Sequence, residues 1–315
     1  MDTTQILTAF LSVGLIGAVL GAVLAYASKV FHVAVDPKVE KIAAILPQAN
    51  CGACGYPGCA GYADAIVSKG AQVNLCSPGG QPVIDQIAAI MGVAATAGVP
   101  MVAYCACNGT KENAKNRFEY YGPASCASAV FVSGGHKACD YGCLGFGDCV
   151  EACPFDAMGI GDNGLPYVID EKCVGCGACV KACPKGVMKL MPRGATVYLA
   201  CSSKAKGKEV TDACTVGCIG CKICSLPKTT PSGAIKMDGD LPVMNYEIED
   251  TFTGAKFKCP KGCFIDKADK EKTGEQITAE KEAFKAEEAK ASEAAKKAAL
   301  EKAAAAKAAQ ENSQA

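Results

Sequence analysis

The chain has 315 residues, 50% of them hydrophobic but only 6% aromatic, with no Trp and 22 Cys. So few aromatic side chains exclude one large conventional core and point to small modules whose folding energy comes from bound metal. Lys+Arg and Asp+Glu both number 32, so a net charge of zero gives no whole-chain basis for binding nucleic acid.

Residues 3–28 carry no charge, and Ile6 to Tyr26 is an apolar stretch of 21 residues. As a helix it spans about 30 Å, one hydrocarbon core. This predicts a single N-terminal transmembrane helix within residues 1–29. A secretory signal is the rival, because Ala25-Tyr26-Ala27 has the small residues of a cleavage site. Against it, the segment ahead of the run holds Asp2 and no Lys or Arg, and the run is longer than a signal's apolar core. Lys29, Lys38 and Lys41 follow the helix. The positive-inside rule then places the N-terminus outside and everything after residue 30 on the cytoplasmic side. Gly17-x3-Gly21 and Gly14-x3-Ala18-x3-Ala22 offer smooth faces to a neighbouring membrane helix.

Residues 30–98 read as a small four-Cys module, with 30–48 as a linker into it. Its thiols are Cys51, Cys54, Cys59 and Cys76, and helices are predicted over Tyr62–Lys69 and Pro82–Met91. The Gly-rich run around Cys51 lets backbone N–H groups turn toward sulfur, which tunes a bound cluster.

Residues 99–195 read as a two-cluster ferredoxin-like unit. A strand is predicted over Val102–Cys107 and a helix over Glu112–Tyr121. Cys173-x2-Cys176-x2-Cys179-x3-Cys183-Pro184 is a bacterial ferredoxin run, a spacing that holds [4Fe–4S] clusters. Cys139-x3-Cys143-x5-Cys149-x3-Cys153-Pro154 is a looser copy. In that fold the fourth Cys of each run crosses to the other cluster. Cys153, Cys173, Cys176 and Cys179 then form one set. Phe146 stands where the middle Cys of the other run belongs, so Cys139 is its expected substitute beside Cys143, Cys149 and Cys183. Gly159-x-Gly161-x2-Gly164 matches a dinucleotide fingerprint, but Asp162-Asn163-Gly164 between short apolar runs reads as a hairpin turn.

Residues 196–266 read as a degenerate second ferredoxin-like unit, a weak internal duplication. Cys214-x3-Cys218 repeats Cys139-x3-Cys143. Thr230-Pro231 replaces one Cys-Pro ending, and Cys259-Pro260 survives, leaving Cys218, Cys221, Cys224 and Cys259 as one set. Cys105, Cys107, Cys126, Cys201, Cys214 and Cys263 remain. They are either buried structural thiols or, for Cys107, Cys126, Cys201 and Cys214, the source of a fifth cluster. Residues 267–315, rich in Ala, Lys and Glu, read as a solvated helical tail with only Ile277, Phe284 and Leu300 as apolar positions.

A disulfide scaffold is the bland reading of so many Cys, yet such domains are small and secreted. Zinc ribbons usually pair two C-x2-C steps or add His, and the only His residues are His32 and His136. The predicted fold is therefore α+β: a membrane helix, a four-Cys module, a two-cluster ferredoxin-like unit, a degenerate second unit and a helical tail. Four [4Fe–4S] clusters are expected, and five are possible.

The anchor, Cys-Gly-Ala-Cys-Gly-Tyr-Pro-Gly-Cys with the distant Cys76, and the ferredoxin runs together resemble the B subunit of the Rnf complex. That complex is the ion-translocating ferredoxin:NAD+ oxidoreductase of bacterial membranes. Cys139-Asp-Tyr-Gly-Cys-Leu-Gly-Phe-Gly-Asp-Cys and Gly217-Cys-Ile-Gly-Cys-Lys-Ile-Cys carry the same resemblance over about residues 1–264. It implies a protein that accepts electrons from reduced ferredoxin and relays them to partner subunits in the membrane; the balanced charge gives no reason to expect nucleic acid, and the lack of a Walker P-loop, G-x-S-x-G elbow or H-E-x-x-H helix leaves no substrate-reacting site of its own. A similar four-Cys module occurs in the large subunit of corrinoid iron–sulfur proteins, but a cobalamin domain has no room here. An iron–sulfur sensor is the third reading, and several full ligand sets argue against it.

Overall fold

A computed structural model describes residues 3–31, 36–273, 275–290 and 293. Helix α1 (Thr3–Val30) comes first. Its segment Phe10–Val30 has a mean hydropathy of 2.2 and buries nothing against the rest of the chain. Among the described residues it is the one helix long and apolar enough to cross a membrane. Leu11, Leu15, Val19 and Leu24 all stay exposed, as lipid-facing residues do.

The segment read as a linker holds a helix. Asp36 caps α2 (Pro37–Ile45) by accepting from Lys38 N at 2.8 Å, and Pro37 opens the first turn. The helix buries Ile42 and, just past its end, Leu46 against α3 (Gly58–Lys69) and α4 (Gly80–Met91). These three helices make the first core, with Tyr62, Ile66 and Ile87 at its centre.

The first ferredoxin-like unit is built on two antiparallel pairs. Strand β1 (Met101–Cys105) pairs with β4 (Met188–Pro192), and β2 (Met158–Ile160) pairs with β3 (Pro166–Val168). Between them lie the short helices α5 (Cys126–Val130), α6 (Asp148–Glu151) and α7 (Ala178–Ala182). The Gly161–Gly164 segment is the β2–β3 turn: Gly161 N donates to Leu165 O at 2.9 Å, and Asn163 Oδ1 accepts from Leu165 N at 3.0 Å. No helix opens there, so the dinucleotide fingerprint has no structural counterpart.

The helix expected over Glu112–Tyr121 does not form. Ala114 instead bridges Cys214 and Asn116 bridges Lys137. Lys115 N donates to Ala213 O at 3.0 Å, and Lys115 O accepts from Ala138 N at 2.8 Å. Backbone pairing to two neighbouring segments outweighs a weak local helix preference.

The second unit repeats the plan of the first. Strand β5 (Val197–Leu199) pairs with β8 (Phe264–Asp266), and β6 (Ile235–Asp238) with β7 (Leu241–Met244). Helices α8 (Lys208–Ala213) and α9 (Thr253–Lys258) and a 3-10 turn at Ile223–Ser225 complete it. One detail fixes the correspondence. Cys105 faces Met188 at the end of β1, and Ala106 N then donates to Val187 O at 2.7 Å. Likewise Leu199 faces Phe264 at the end of β5, and Ala200 N donates to Cys263 O at 2.8 Å. Cys107 and Cys201 leave the two sheets at equivalent points.

A final helix, α10 (275–290), leans on α9 through Phe284, whose ring lies 5.4 Å from that of Phe257. Lys258 pairs there with Glu288. The segment read as a solvated tail thus packs on α9 at Phe284 and Glu288. Leu300, and His32 near the anchor, lie outside the described residues.

Candidate metal centres

In the first module Cys51, Cys54, Cys59 and Cys76 line one cavity of about 320 Å³ beside Leu46 and Tyr62. Cys51 and Cys54 come from the loop that enters α3, Cys59 from the first turn of α3, and Cys76 from the loop between α3 and α4. Tyr62 ties the two loops together. Its buried hydroxyl donates to Gln72 O at 2.7 Å and accepts from Leu75 N at 3.1 Å, which sets the path of the chain into Cys76. Asn50 Oδ1 accepts from Cys59 N at 2.8 Å and holds the entry loop.

Cys153, Cys173, Cys176 and Cys179 line a cavity of about 300 Å³ under β1. Cys173 Sγ accepts from Ala103 N at 3.4 Å. Cys153 thus reaches this cavity from the other run.

The companion set differs from the sequence expectation in one member. Cys143, Cys149 and Cys183 line a cavity of about 350 Å³, and its fourth thiol is Cys126, not Cys139. Cys126 opens α5, and its thiol meets the backbone of Phe146 and Asp148, where the middle Cys is missing. Asp148 holds it there: its carboxylate accepts from Ser125 Oγ (3.0 Å), Cys126 N (2.7 Å) and Ala127 N (2.9 Å). Cys139 lies elsewhere, with Cys107, Cys201 and Cys214. Its three-residue step to Cys143 turns the two side chains into different cavities.

In the second unit Cys224 sits beside Cys218, Cys259 and Cys221. Here Cys221 fills the position that Phe146 holds in the first unit, so no outside thiol is needed. Cys221 is the exposed member. The glycine two residues after the first thiol of each run has positive φ: Gly145 (+80°), Gly175 (+65°) and Gly220 (+69°). A Cβ there would strike Gly164 O at 2.6 Å, Met101 O at 2.5 Å or Asp240 at 2.9 Å, so each run needs glycine to wrap its thiols inward.

The donor chemistry fits iron–sulfur cores. Burial pushes the thiols of Cys149 and Cys224 up to about 12 and that of Cys179 up to about 11. Four bare thiolates would not share such cavities without positive charge among them. Among the described residues no group of three or more His, Cys, Asp or Glu is arranged to hold one metal ion. The thiols ring cavities instead, which suits a multi-iron core better than a single zinc.

Two residues that sequence reasoning left without a role adjoin these sets. The Cys105 thiol hydrogen-bonds the Cys143 sulfur and holds it down to about 7. Cys263 lies beside Cys218 and Cys259, which are held down to about 7 and about 6; its N donates to Cys259 Sγ at 3.3 Å and its thiol to Val216 O at 3.4 Å. Their positions in or beside strands gave no sequence signal.

Comparison with known proteins agrees with this geometry. Residues 46–78 match the family described as "Putative Fe-S cluster", and residues 138–188 match the "4Fe-4S dicluster domain". The chain is 42% identical over 269 residues to the B subunit of the Na(+)-translocating ferredoxin:NAD(+) oxidoreductase complex of Acetobacterium woodii, covering 84% of this chain and 79% of that one. It is 43% identical over 251 residues to the B subunit of the proton-translocating ferredoxin:NAD(+) oxidoreductase complex of Clostridium ljungdahlii, covering 79% and 88%. It is 40% identical over 232 residues to the B subunit of the ion-translocating oxidoreductase complex of Methanosarcina acetivorans, covering 74% and 87%. These matches run far beyond the four-Cys module on which a corrinoid resemblance rests. Cavity-lining thiols in ferredoxin runs, an apolar anchor and relatives matched over most of their length lead to one assignment: the chain belongs to the family of B subunits of ion-translocating ferredoxin:NAD+ oxidoreductase complexes.

Proposed function

We propose that the chain is the iron–sulfur electron-transfer component of a membrane-bound, ion-translocating ferredoxin:NAD+ oxidoreductase, relaying electrons from reduced ferredoxin to partner subunits. Four thiol sets hold its [4Fe–4S] clusters: Cys51, Cys54, Cys59 and Cys76; Cys153, Cys173, Cys176 and Cys179; Cys126, Cys143, Cys149 and Cys183; Cys218, Cys221, Cys224 and Cys259. Such clusters supply reversible one-electron transfer, with potentials set by sulfur hydrogen bonds and burial. The chain's own residues do the holding and tuning. Ala103 N and Cys263 N donate to the sulfurs of Cys173 and Cys259 at 3.4 and 3.3 Å, and the low exposure of Cys149, Cys173 and Cys179 excludes water. No residue is assigned to substrate chemistry. Helix α1 anchors the chain in the plasma (inner) membrane, and Lys29, Lys38 and Lys41 after it place the modules on the cytoplasmic side.

The observation that carries this reading is that the three sets of the first module and first ferredoxin-like unit adjoin one another. Cys176 is close enough to Cys51 to feel its charge, and Lys181 Nζ reaches Gly52 O at 3.2 Å across the same gap. Cys149 feels Cys179 in the same way. Hops between neighbouring sets are therefore short. The test is EPR of the anaerobically purified complex with iron and sulfide analysis. At least about sixteen irons and sixteen sulfides per chain, with S = 1/2 signals that reduced ferredoxin raises and NAD+ removes, support the relay. Zinc in place of iron, or clusters that reduced ferredoxin leaves oxidised, overturn it.

A further inference from the structure

We infer that Cys107, Cys139, Cys201 and Cys214 hold a further [4Fe–4S] cluster on the seam between the two ferredoxin-like units. The inference rests on the proposed relay for the kind of cofactor, and on its own geometry for the ligands.

The four thiols line one cavity. Four thiols likewise ring each of the other three lined cavities, so the same kind of occupant suits all four. Here equivalent residues of the two units meet, as they do where Tyr104 packs on Tyr198 with ring centroids 4.9 Å apart. Cys107 follows β1 and Cys139 precedes Cys143; Cys201 follows β5 and Cys214 precedes Cys218. Each sheet-derived thiol receives the same hydrogen bond: Cys143 N donates to Cys107 Sγ at 3.4 Å, and Cys218 N to Cys201 Sγ at 3.3 Å. Gly109 N adds a second to Cys107 Sγ at 3.4 Å. Two thiols from each repeat converge across the seam, a ring that neither unit completes alone.

A second observation points to a bound anion. Lys137 lines this cavity and is 7% exposed, with Nζ donating to Gly109 O at 2.5 Å. None of the ion pairs among the described residues includes it. A buried ammonium without an acid partner is strongly disfavoured unless other negative charge stands beside it. A [4Fe–4S] core with four thiolates is an anion and meets that need. Four neutral structural thiols do not.

The site also closes a gap. Through the two backbone hydrogen bonds it abuts the Cys143 set on one side and the Cys218 set on the other. Without it no thiol set lies between the units. With it each set neighbours the next, from Cys51 through Cys176, Cys149 and Cys107 to Cys218, whose set includes the exposed Cys221.

The experiment is iron, sulfide and Mössbauer quantification on the full chain purified anaerobically, as wild type, Cys214→Ser, Cys201→Ser and Cys105→Ser. The expected result is about twenty irons per wild-type chain, about four fewer in each of the first two variants, and no loss in Cys105→Ser. EPR of the reduced Cys214→Ser chain then lacks one interacting signal and keeps the rest. About sixteen irons in wild type, or a Cys214→Ser chain with wild-type iron, overturns the fifth site and leaves the relay standing. Wild type with no reducible iron overturns the relay itself. If the serine variants fail to accumulate, the wild-type count alone decides.

Discussion

Replacing Lys137 by Met removes one buried positive charge while nearly keeping the side-chain volume. The ammonium stands beside two thiol sets, since its charge favours the thiolates of both Cys107 and Cys143. At an effective dielectric near 20 and a charge separation of about 8 Å, one unit charge is worth roughly 2 kcal/mol. Reduction adds one negative charge to a cluster, so losing the lysine disfavours reduction by that amount. For a one-electron couple this is about 90 mV, counting about 59 mV per tenfold change. The potentials of the two flanking clusters are therefore expected to fall by about 90 mV in Lys137→Met, while that of the cluster at Cys51–Cys76 stays in place. Lys137→Arg, which keeps the charge, recovers most of the shift. The assay is an EPR-monitored redox titration of the anaerobic full-length chain. A change below about 20 mV at both flanking clusters, or a rise, refutes the electrostatic reasoning, because no effective dielectric suited to a buried site reduces the interaction so far. Met also leaves Gly109 O without its donor, at about 1–3 kcal/mol, so a lower melting temperature accompanies the shift without explaining it.

Asp148→Asn weakens the three hydrogen bonds that seat Cys126. The site is half-exposed, so the cost is about 1 kcal/mol, read as roughly fivefold faster iron release to a chelator. Wild-type release kinetics would mean that Cys126 needs no such clamp. Tyr62→Phe leaves Gln72 O and Leu75 N without the hydroxyl, costing roughly 1–3 kcal/mol in the first module; early loss of the Cys51–Cys76 cluster in a denaturant series is the readout, and an unchanged midpoint contradicts it. Cys263→Ala removes the polar thiol that stands beside Cys218 and Cys259, so that cluster's potential falls by about tens of millivolts, on the order expected for a lost sulfur contact. Iron content stays at the wild-type value, which separates this tuning from ligation; a lost cluster would make Cys263 a ligand.

The parts of the site written in short spacings are readable from the chain alone. Cys173-x2-Cys176-x2-Cys179 wraps one cavity because a tight turn at Gly175 leaves the thiols nowhere else to go, and crossing of Cys153 and Cys183 follows from the fold. The helix at Pro37–Ile45 is hidden because Val39, Ile42 and Leu46 are too few to mark periodicity, although Asp36-Pro37 is a usable start signal. The helix expected at Glu112–Tyr121 fails for the opposite reason: its backbone is claimed by partners distant in sequence. Spacing misplaces Cys139 because its closeness to Cys143 along the chain does not carry over into space. Phe146 does show that a ligand is missing. Nothing in the spacing says that Cys126, carried on a separate helix, supplies it.

The duplication explains why Cys126 and Cys139 have separate places. In the second unit Cys221 completes its own set, and Cys214 is left facing the seam. In the first unit the corresponding middle position is Phe146, and Cys126 makes up the loss from α5, so Cys139 also stays at the seam. If Cys139 were drawn into the Cys143 set, the seam would hold three thiols, one short of a cluster, and Lys137 would face a weaker counter-charge. Recruiting Cys126 keeps both the first unit's set and the shared ring at four. The pairing of Lys115 with Ala213 and Ala138, and of Ser202 Oγ with Ala106 O at 2.9 Å, then fixes the two repeats around that ring. A seam ordered by backbone hydrogen bonds and by Tyr104 packed on Tyr198, with ring centroids 4.9 Å apart, holds the distance between the two units' thiol sets constant. Electron transfer needs that constancy more than it needs a large apolar interface, and a chain with so few aromatic residues has little material for such an interface.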